Sequence, residues 1–277
     1  MLAIVGRREG KVAHALARGM ARVNPIDQWI LPTAVCTQGA PGFQGARQLA
    51  LFPSFDATSQ LHTKALLGLA RVAGVERVLQ ISMIGADPKS PVEILRRFGL
   101  LESAVVASGV PYAIVRSAPF MQNIELFLRQ FGERLCVAGP FRTARFGWID
   151  AEEVGEIVAR TLAAETFQTG VASQLCGPEQ LDFDAVAAAA TAMYGRHCEF
   201  IDFSQPEAGG MLEAAGVPAE RARLLLEYWD YLVSGAVGVT PCQTAAELLG
   251  RPTRRLAEFR LAESPATPLL LHSLPAF

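Results

Sequence analysis

The segment AIVGRREGKVA, residues 3–13, organises the predicted fold. It begins as a short apolar strand, continues as a turn that contains glycine, and ends as the start of an alanine-rich helix. A strand, a tight turn and a helix N-terminus form an anion site, because unpaired backbone N–H groups and the helix dipole converge there. In the G-x-x-G-x-x-G/A fingerprint of dinucleotide folds, Gly10 and Ala13 take the last two positions, whereas Arg7 stands where the first glycine belongs. The segment therefore predicts a dinucleotide motif that is half present.

Basic residues crowd this turn and the helix after it. Five of them stand against one acidic residue: Arg7, Arg8, Lys11, Arg18 and Arg22 against Glu9. Such an excess serves either a bound phosphate or a solvated helix face. Arg7 and Arg8 either contact phosphates, the 2′-phosphate of NADP included, or block the groove and form salt bridges elsewhere. The whole chain has a net charge of −2, so neither nucleic acid nor an anionic membrane is expected as a general partner.

The composition indicates an ordered globular protein. Of the 277 residues, 51% are hydrophobic and 19% are charged, which is typical of a chain that buries a large core. The five cysteines are scattered without a C-x-x-C pair, which favours reduced thiols, a cytoplasmic location and no metal site. No apolar run suits a signal peptide or a membrane span. The length fits a single α/β unit with a smaller subdomain.

Apolar strands alternate with amphipathic helices along the chain. The pattern predicts strands at 28–36, 48–53, 75–82, 112–116, 146–150, 172–176 and 198–203. It predicts helices at 11–23, 59–73, 92–108, 119–131 and 151–164, then a helix capped by Asp182 or Asp184 that ends near Gly195, and further helices around Tyr228. Strands separated by helices in this way indicate a doubly wound α/β fold, with a parallel sheet covered on both faces.

Several segments carry a resemblance to a known family. AGVERVLQIS (73–82), LLESAVVASGVPYAIVRSAPFMQNI (100–124), GWIDAEEVGEIVARTL (147–162), QLCGPEQLDFDAVAAAATAMYGR (174–196) and AAELLGRPTRRLAEF (245–259) follow in the family's order. Together they resemble the NmrA-like group of atypical short-chain dehydrogenases/reductases over residues 48–259. The resemblance implies a Rossmann-like core at about 1–150, with NAD(P) at the strand ends. It also implies a substrate-cleft subdomain at about 151–263, before a proline-rich tail at 264–277.

The first turn and the family's strand ends together give an expected site. The residues expected to contact NADP(H) or NAD(H) are Gly6, Arg7, Arg8, Gly10, Lys11, Val12, Phe52, Pro53, Ser82 and Met83. Those expected to line the substrate cleft are Phe98, Phe120, Met121, Asn123, Trp148 and Tyr228. Asn123 either lines the cleft or pins its own segment, and the aromatic residues near Tyr228 either wall a cavity or are plain core.

The chain departs from the family pattern in ways that bear on chemistry. The second strand ends in Thr33-Ala34-Val35 without the arginine that reads a 2′-phosphate, and residues 10–49 are too few for two strands with their helices. Where the wider short-chain dehydrogenases have their catalytic Tyr-x-x-x-Lys pair, this chain has Phe98 and Glu102, and many NmrA-like members lack that pair as well. Ser82 and Glu102 remain the catalytic candidates, against the alternatives of a turn-capping serine and a solvated helix face.

Three functions are compatible with these observations. The leading hypothesis is an NAD(P)-binding oxidoreductase that acts on a small apolar, carbonyl-bearing or aromatic molecule. The second is an enzyme without a cofactor that uses the vacated cleft for cyclisation, isomerisation or dehydration. The third is a non-catalytic NAD(P) sensor that regulates a protein partner. The apolar tail Leu269-Leu270-Leu271 packs either on the chain's own body or on a second subunit of a homodimer.

Overall fold

A six-stranded parallel sheet forms the centre of the molecule. The computed structural model describes residues 2–6, 11–23, 26–30, 43, 45–55, 59–131, 134–142, 144–235 and 242–260. The strands of the sheet are β1 (Leu2–Gly6), β2 (Ile26–Ile30), β3 (Gln48–Phe52), β4 (Arg77–Met83), β5 (Tyr112–Ser117) and β8 (Val171–Leu175). Their order is β2-β1-β3-β4-β5-β8, and each neighbouring pair is parallel.

Helices cover both faces of this sheet. On one face α1 (Lys11–Ala21) and α4 (Ala151–Ala163) pack on Leu2 and Ile4. On the other face α2 (Ser59–Val72) and α3 (Glu93–Val106) pack on Ala3 and Val5. Side chains alternate between the two faces of a strand, and both faces here are apolar, as in a sheet that is buried on both sides. The predicted doubly wound α/β fold is therefore confirmed.

Two glycines let α1 and α4 pack backbone against backbone. A Cβ atom on Gly19 would lie 1.8 Å from the carbonyl oxygen of Glu152, and one on Gly155 would lie 2.1 Å from that of Leu16. No larger residue fits either position without moving a helix. The start of α4 is fixed by Asp150, whose buried carboxylate accepts a hydrogen bond from the Glu152 N–H. The same carboxylate is paired with Arg254 near the C-terminus.

A second layer covers one end of the main sheet. It holds a three-stranded sheet of β6 (Leu128–Phe131), β7 (Arg134–Gly139) and β9 (Cys198–Asp202), in the order β6-β7-β9. Its helices are α5 (Phe183–Tyr194), α6 (Gln205–Ala214) and α7 (Ala219–Val233). The short helix α8 (Thr244–Leu249) instead packs in the core of the main sheet, where Ala245 and Leu249 are buried. Asp182 caps α5 by accepting from the Ala185 N–H, and Gly195 ends that helix in the left-handed conformation, as the sequence predicts.

The prediction of a helix at 119–131 is wrong. Residues Met121–Phe127 form a 3₁₀ helix, and the chain then enters β6, which pairs antiparallel with β7. β7 in turn pairs with β9 from far along the chain, so long-range strand pairing overrides the local helical pattern. The strand predicted at 146–150 is also wrong, because only isolated bridges form there, Phe120 to Ile149 and Phe146 to Leu181.

The region between Gly10 and Leu49 was expected to be too short for two complete strand–helix units. In the described residues of this region, α1 and β2 are present, and β2 is the outermost strand beside β1. The predicted strand at 28–36 begins at Ile26, and its residues 31–36 lie outside the described part of the chain. In the parts of the chain that the structure describes, no helix is long and apolar enough to cross a membrane.

Candidate functional site

A deep cavity lies at the carboxyl edge of the parallel sheet. Its empty volume is about 970 Å³, including the part open to solvent. The ends of three strands line it: Phe52 at the end of β3 with Pro53 after it, Ser82 and Met83 at the end of β4, and Ser117 at the end of β5. Val12 from the first turn of α1 and Ile81 complete this wall. Ligands of open α/β folds bind at this edge, so the cavity lies where the topology predicts a site.

Aromatic rings from the second layer form the opposite wall. They are Phe127, Phe141, Phe146, Trp148, Phe183 and Trp229. Phe141 and Phe183 stack with their centroids 4.1 Å apart, and Phe127 meets Phe141 edge to face at 5.0 Å. Offset and edge-to-face contacts of this kind hold aromatic rings in fixed orientations. The wall is therefore a rigid apolar surface that suits a flat ring.

A third side of the cavity comes from two helices that pack together. Phe98 on α3 and Tyr228 on α7 belong to one hydrophobic cluster, together with Met83 at the end of β4. Burial raises the pKa of the Tyr228 hydroxyl, and the nearby Tyr231 raises it further. Because its pKa lies above the ordinary value, the phenol stays protonated at neutral pH and can donate a hydrogen bond.

The described lining of the cavity is uncharged. Within the part of the chain that the structure describes, no Asp, Glu, Lys, Arg or His side chain lines it. Its polar groups are the hydroxyls of Ser82, Ser117 and Tyr228, the amide of Asn123 and the indole N–H groups. The Trp148 indole N–H is buried and has no hydrogen-bond partner among the described residues. Such a lining favours an uncharged, largely apolar ligand that carries a few hydrogen-bonding atoms.

Ser82 is the polar residue with the most defined surroundings. Its hydroxyl donates to Oε1 of Glu102 over 2.6 Å. Glu102 lies on α3 and is 6% exposed, and Arg116 on β5 binds both of its carboxylate oxygens, over 2.9 and 2.6 Å. Burial opposes the charge of Arg116, but the hydrogen bond to Glu102 outweighs this effect and raises the pKa of Arg116. Ser82, Glu102 and Arg116 are thus joined by hydrogen bonds into one network that leads away from the cavity.

Most of the predicted site residues come together in this cavity. Val12, Phe52, Pro53, Ser82 and Met83 line it from the predicted cofactor set, and Phe98, Phe120, Asn123, Trp148 and Tyr228 line it from the predicted cleft set. Their roles with a ligand remain predictions. Arg7, Arg8 and Gly10 lie outside the described residues, and so does the side chain of Lys11. A Cβ on Gly6 would lie 2.5 Å from the Phe52 carbonyl oxygen, so this glycine lets β1 end close beside β3.

Two predicted residues lie elsewhere. Met121 is 1% exposed and packs inside the aromatic cluster of the second layer, not on the cavity wall. Glu102 is not on the wall either, and its ion pair with Arg116 shows that it is neither on a solvated helix face nor free to act as an acid or base. The sequence hypothesis missed Ser117 and most of the second-layer rings. Ser117 follows the same rule as Ser82, since it ends a parallel strand, whereas the rings meet only through tertiary packing.

The geometry also limits which groups the site can hold. Among the residues that the structure describes, no cluster of three or more His, Cys, Asp or Glu side chains could hold a metal ion. The strand-end wall formed by Val12, Ile81 and Ser82 fits a flat, uncharged heterocycle with polar substituents. A reduced nicotinamide ring has these properties, so the lining is compatible with the nicotinamide half of a reduced dinucleotide.

The chain is similar to known NAD(P)-linked proteins. It is 30% identical over 207 residues to an NAD(P)H azoreductase of Xenophilus azovorans, a match that covers 73% of this chain and 70% of that protein. Its fold is similar to an NADPH-dependent quinone oxidoreductase of Escherichia coli solved with NADPH, with a TM-score of 0.76 and 20% identity over 93% of this chain and 98% of that one.

A third similarity concerns a protein of a different role. The negative transcriptional regulator NmrA, solved in complex with NAD, matches with a TM-score of 0.69 and 17% identity over 93% of each chain. No family model matches the chain. The azoreductase match covers most of both proteins, and the neighbouring structures share the complete fold. The chain belongs to the NmrA-like group of atypical short-chain dehydrogenases/reductases.

Proposed function

We propose that this protein is an NAD(P)H-dependent reductase of flat, uncharged aromatic acceptors such as quinones or azo compounds. The observation that carries the proposal is the cavity at the strand ends, which is walled by aromatic rings and lined by no charged side chain among the described residues. Uncharged aromatic acceptors match such a lining because they bury apolar surface without leaving a charge unpaired. The related azoreductase and the similar quinone oxidoreductase support both the nucleotide and this class of acceptor.

The residues of the chain bind and orient more than they catalyse proton transfer. When bound, the reduced nicotinamide supplies a hydride. Phe98 and Glu102 stand where the wider short-chain dehydrogenases have their acid tyrosine and lysine, and Glu102 is held by Arg116. Quinones and azo compounds accept electrons readily, so they depend less on an acid in the protein than simple aldehydes do. Tyr228 remains protonated beside the cavity and is the proposed hydrogen-bond donor to the acceptor.

The nucleotide contacts divide between two parts of the chain. Ser82 and Met83 at the end of β4, with Val12 in the first turn of α1, are proposed to hold the nicotinamide half. Arg7 and Arg8, which the sequence places in the first turn, are proposed to contact the phosphates of either NADP(H) or NAD(H). If they bind the 2′-phosphate, the variants Arg7→Ala and Arg8→Ala should raise the KM for NADPH more than the KM for NADH.

The other two functions make different demands on the site. Redox-neutral cyclisation or dehydration commonly uses a carboxylate, an imidazole or an amine beside the substrate, and the described lining residues include none of these groups. A regulator would bind the nucleotide without consuming it. Because the fold is similar to that of the regulator NmrA, the test below includes binding without turnover as an outcome.

The test is steady-state consumption of NADPH and NADH with three acceptors, namely a naphthoquinone, an uncharged azo dye and a straight-chain aldehyde. We expect saturable turnover with the quinone or the azo dye, and turnover at least about tenfold slower with the aldehyde. Binding of the nucleotide without turnover of any acceptor would overturn the reductase and support a sensor. Equal activity on all three acceptors would overturn the argument from the cavity lining.

A further inference from the structure

We propose that Glu102 and Arg116 fix the Ser82 hydroxyl as a hydrogen-bond acceptor toward the cavity, and that Ser82 thereby selects ligands which present a neutral N–H or O–H donor there. The inference rests on the proposed function, because it assigns a role to one wall of the same site. A serine at this strand end could donate to a substrate carbonyl, whereas here its proton is already used.

Glu102 is held by Arg116 in a bidentate pair. Arg116 binds both carboxylate oxygens, over 2.9 and 2.6 Å, and the carboxylate is 6% exposed. A carboxylate in a bidentate pair with a guanidinium is ionised, and an ionised carboxylate only accepts hydrogen bonds. The 2.6 Å contact between Ser82 Oγ and Glu102 Oε1 must therefore be a bond in which the serine donates.

The second step is the state of the serine oxygen. A serine hydroxyl has one proton and two lone pairs. Since the proton points to Glu102, only lone pairs of Ser82 Oγ remain for the cavity, which Ser82 lines. Ligand groups that only accept hydrogen bonds, such as a ketone oxygen, find no donor at this point. Groups with a neutral N–H or O–H find an acceptor.

Two ligands could donate a hydrogen bond to Ser82 Oγ, and both would do so through a neutral N–H or O–H group. One is the carboxamide N–H₂ of the nicotinamide, and the other is a hydroxyl on the acceptor or on its reduced product. The nucleotide arm of the test compares NADPH with its 3-acetylpyridine analogue, in which a methyl group replaces the amide N–H₂ and the carbonyl oxygen is kept. The acceptor arm compares a naphthol with its methyl ether as inhibitors.

The test measures affinities by calorimetry for the nucleotides and by inhibition for the naphthol pair. In the wild type, one arm should favour the ligand with the donor by about three- to tenfold, the effect of one neutral hydrogen bond. Ser82→Ala should reduce that preference to about onefold. Glu102→Leu should also weaken it, because the leucine side chain accepts no hydrogen bond and the serine proton is then free to turn toward the cavity.

Controls separate this role from a structural one. Ser103→Ala changes the neighbour of Glu102 on the same helix, where the hydroxyl donates to the Gly99 carbonyl, and should leave the preference intact. Loss of the preference in Ser117→Ala but not in Ser82→Ala would overturn the proposal. A uniform loss of affinity for both members of a pair in Glu102→Leu would overturn it too, and so would the absence of any preference in both arms. Failure of NADPH to bind at all would instead refute the proposed function.

Discussion

Breaking the ion pair behind the cavity gives the sharpest prediction for stability. Glu102 is 6% exposed, and Arg116 supplies two hydrogen bonds to it. Arg116→Met leaves a buried carboxylate whose remaining partner is the Ser82 hydroxyl. Loss of one member of a buried pair costs about 3–5 kcal/mol. Because the Arg116 side chain is 30% exposed, solvent screens the pair, and we expect a loss of about 2–3 kcal/mol in the free energy of unfolding.

The second substitution removes the stranded charge. Glu102→Leu alone leaves a partly exposed arginine that can reach water, so its cost should be smaller, about 1–2 kcal/mol. In the double variant neither charge is left unpaired, and the loss should be about 1 kcal/mol. The double variant should therefore be more stable than Arg116→Met, although it carries one more substitution.

Urea unfolding at neutral pH, followed by circular dichroism and by tryptophan fluorescence, measures all four proteins of this cycle. The order of midpoints should be wild type, double variant or Glu102→Leu, and Arg116→Met last. Additive losses in the double variant would refute the reasoning, since they would mean that the two charges do not interact in the native state.

Four further predictions concern packing, the cavity, pH and the tail. Gly155→Ala should lower the free energy of unfolding by about 1–3 kcal/mol, because the new Cβ would lie 2.1 Å from a carbonyl oxygen of α1. In the control Gly68→Ala the new Cβ has nothing within 4 Å, so the free energy of unfolding should rise by up to about 1 kcal/mol. Equal melting temperatures for the two variants would contradict this prediction. Phe98→Glu should reduce turnover of an uncharged quinone at least about tenfold, because it places a charge in the apolar lining, whereas Phe98→Leu should change turnover less than about threefold. Similar rates for the two variants would count against an apolar site. Burial raises the pKa of Glu152, but hydrogen bonds and charges from two arginines outweigh burial and lower this pKa below its ordinary value. The ion pair therefore stabilises the fold above the pKa of the unfolded chain, and this stabilisation is lost as the pH falls, so between about pH 6 and 3 the urea midpoint of the wild type should fall more than that of Glu152→Gln. Parallel curves for the two proteins would refute the pairing. Deletion from Ser264 onward should lower the melting temperature or the oligomer mass, and an unchanged value of both would contradict packing of the tail.

Local signals were sufficient for the main sheet. Apolar runs and the breaks between them predicted the strands at the centre of the fold, and Asp182 and Gly195 marked the ends of α5 by capping alone. The β6–β7 hairpin was not predictable in the same way. Its stability comes from pairing with β9, which no window along the chain contains, so the segment at 121–131 reads as a helix until its partner is known.

The site divides along the same line. Residues at strand ends could be predicted because parallel strands bring their carboxyl ends to one edge, and Phe52, Ser82 and Met83 do line the cavity there. The rings around Phe183 come from separate elements of the second layer and meet only in the folded chain. Glu102 shows a further limit, because its helical spacing suggested a residue facing solvent or the cleft, and only the tertiary contact with Arg116 reveals its partner.

The most direct test of the central claim is a calorimetric titration of the purified protein with NADPH, followed by addition of a naphthoquinone to the saturated complex. The account predicts saturable binding at micromolar concentration and then oxidation of the bound nucleotide by the quinone, at a rate that the free nucleotide does not show. Absence of saturable heat with both NADPH and NADH would contradict it. The protein would then have the fold of its relatives without binding their nucleotide, and the cavity at the strand ends would bind a different ligand.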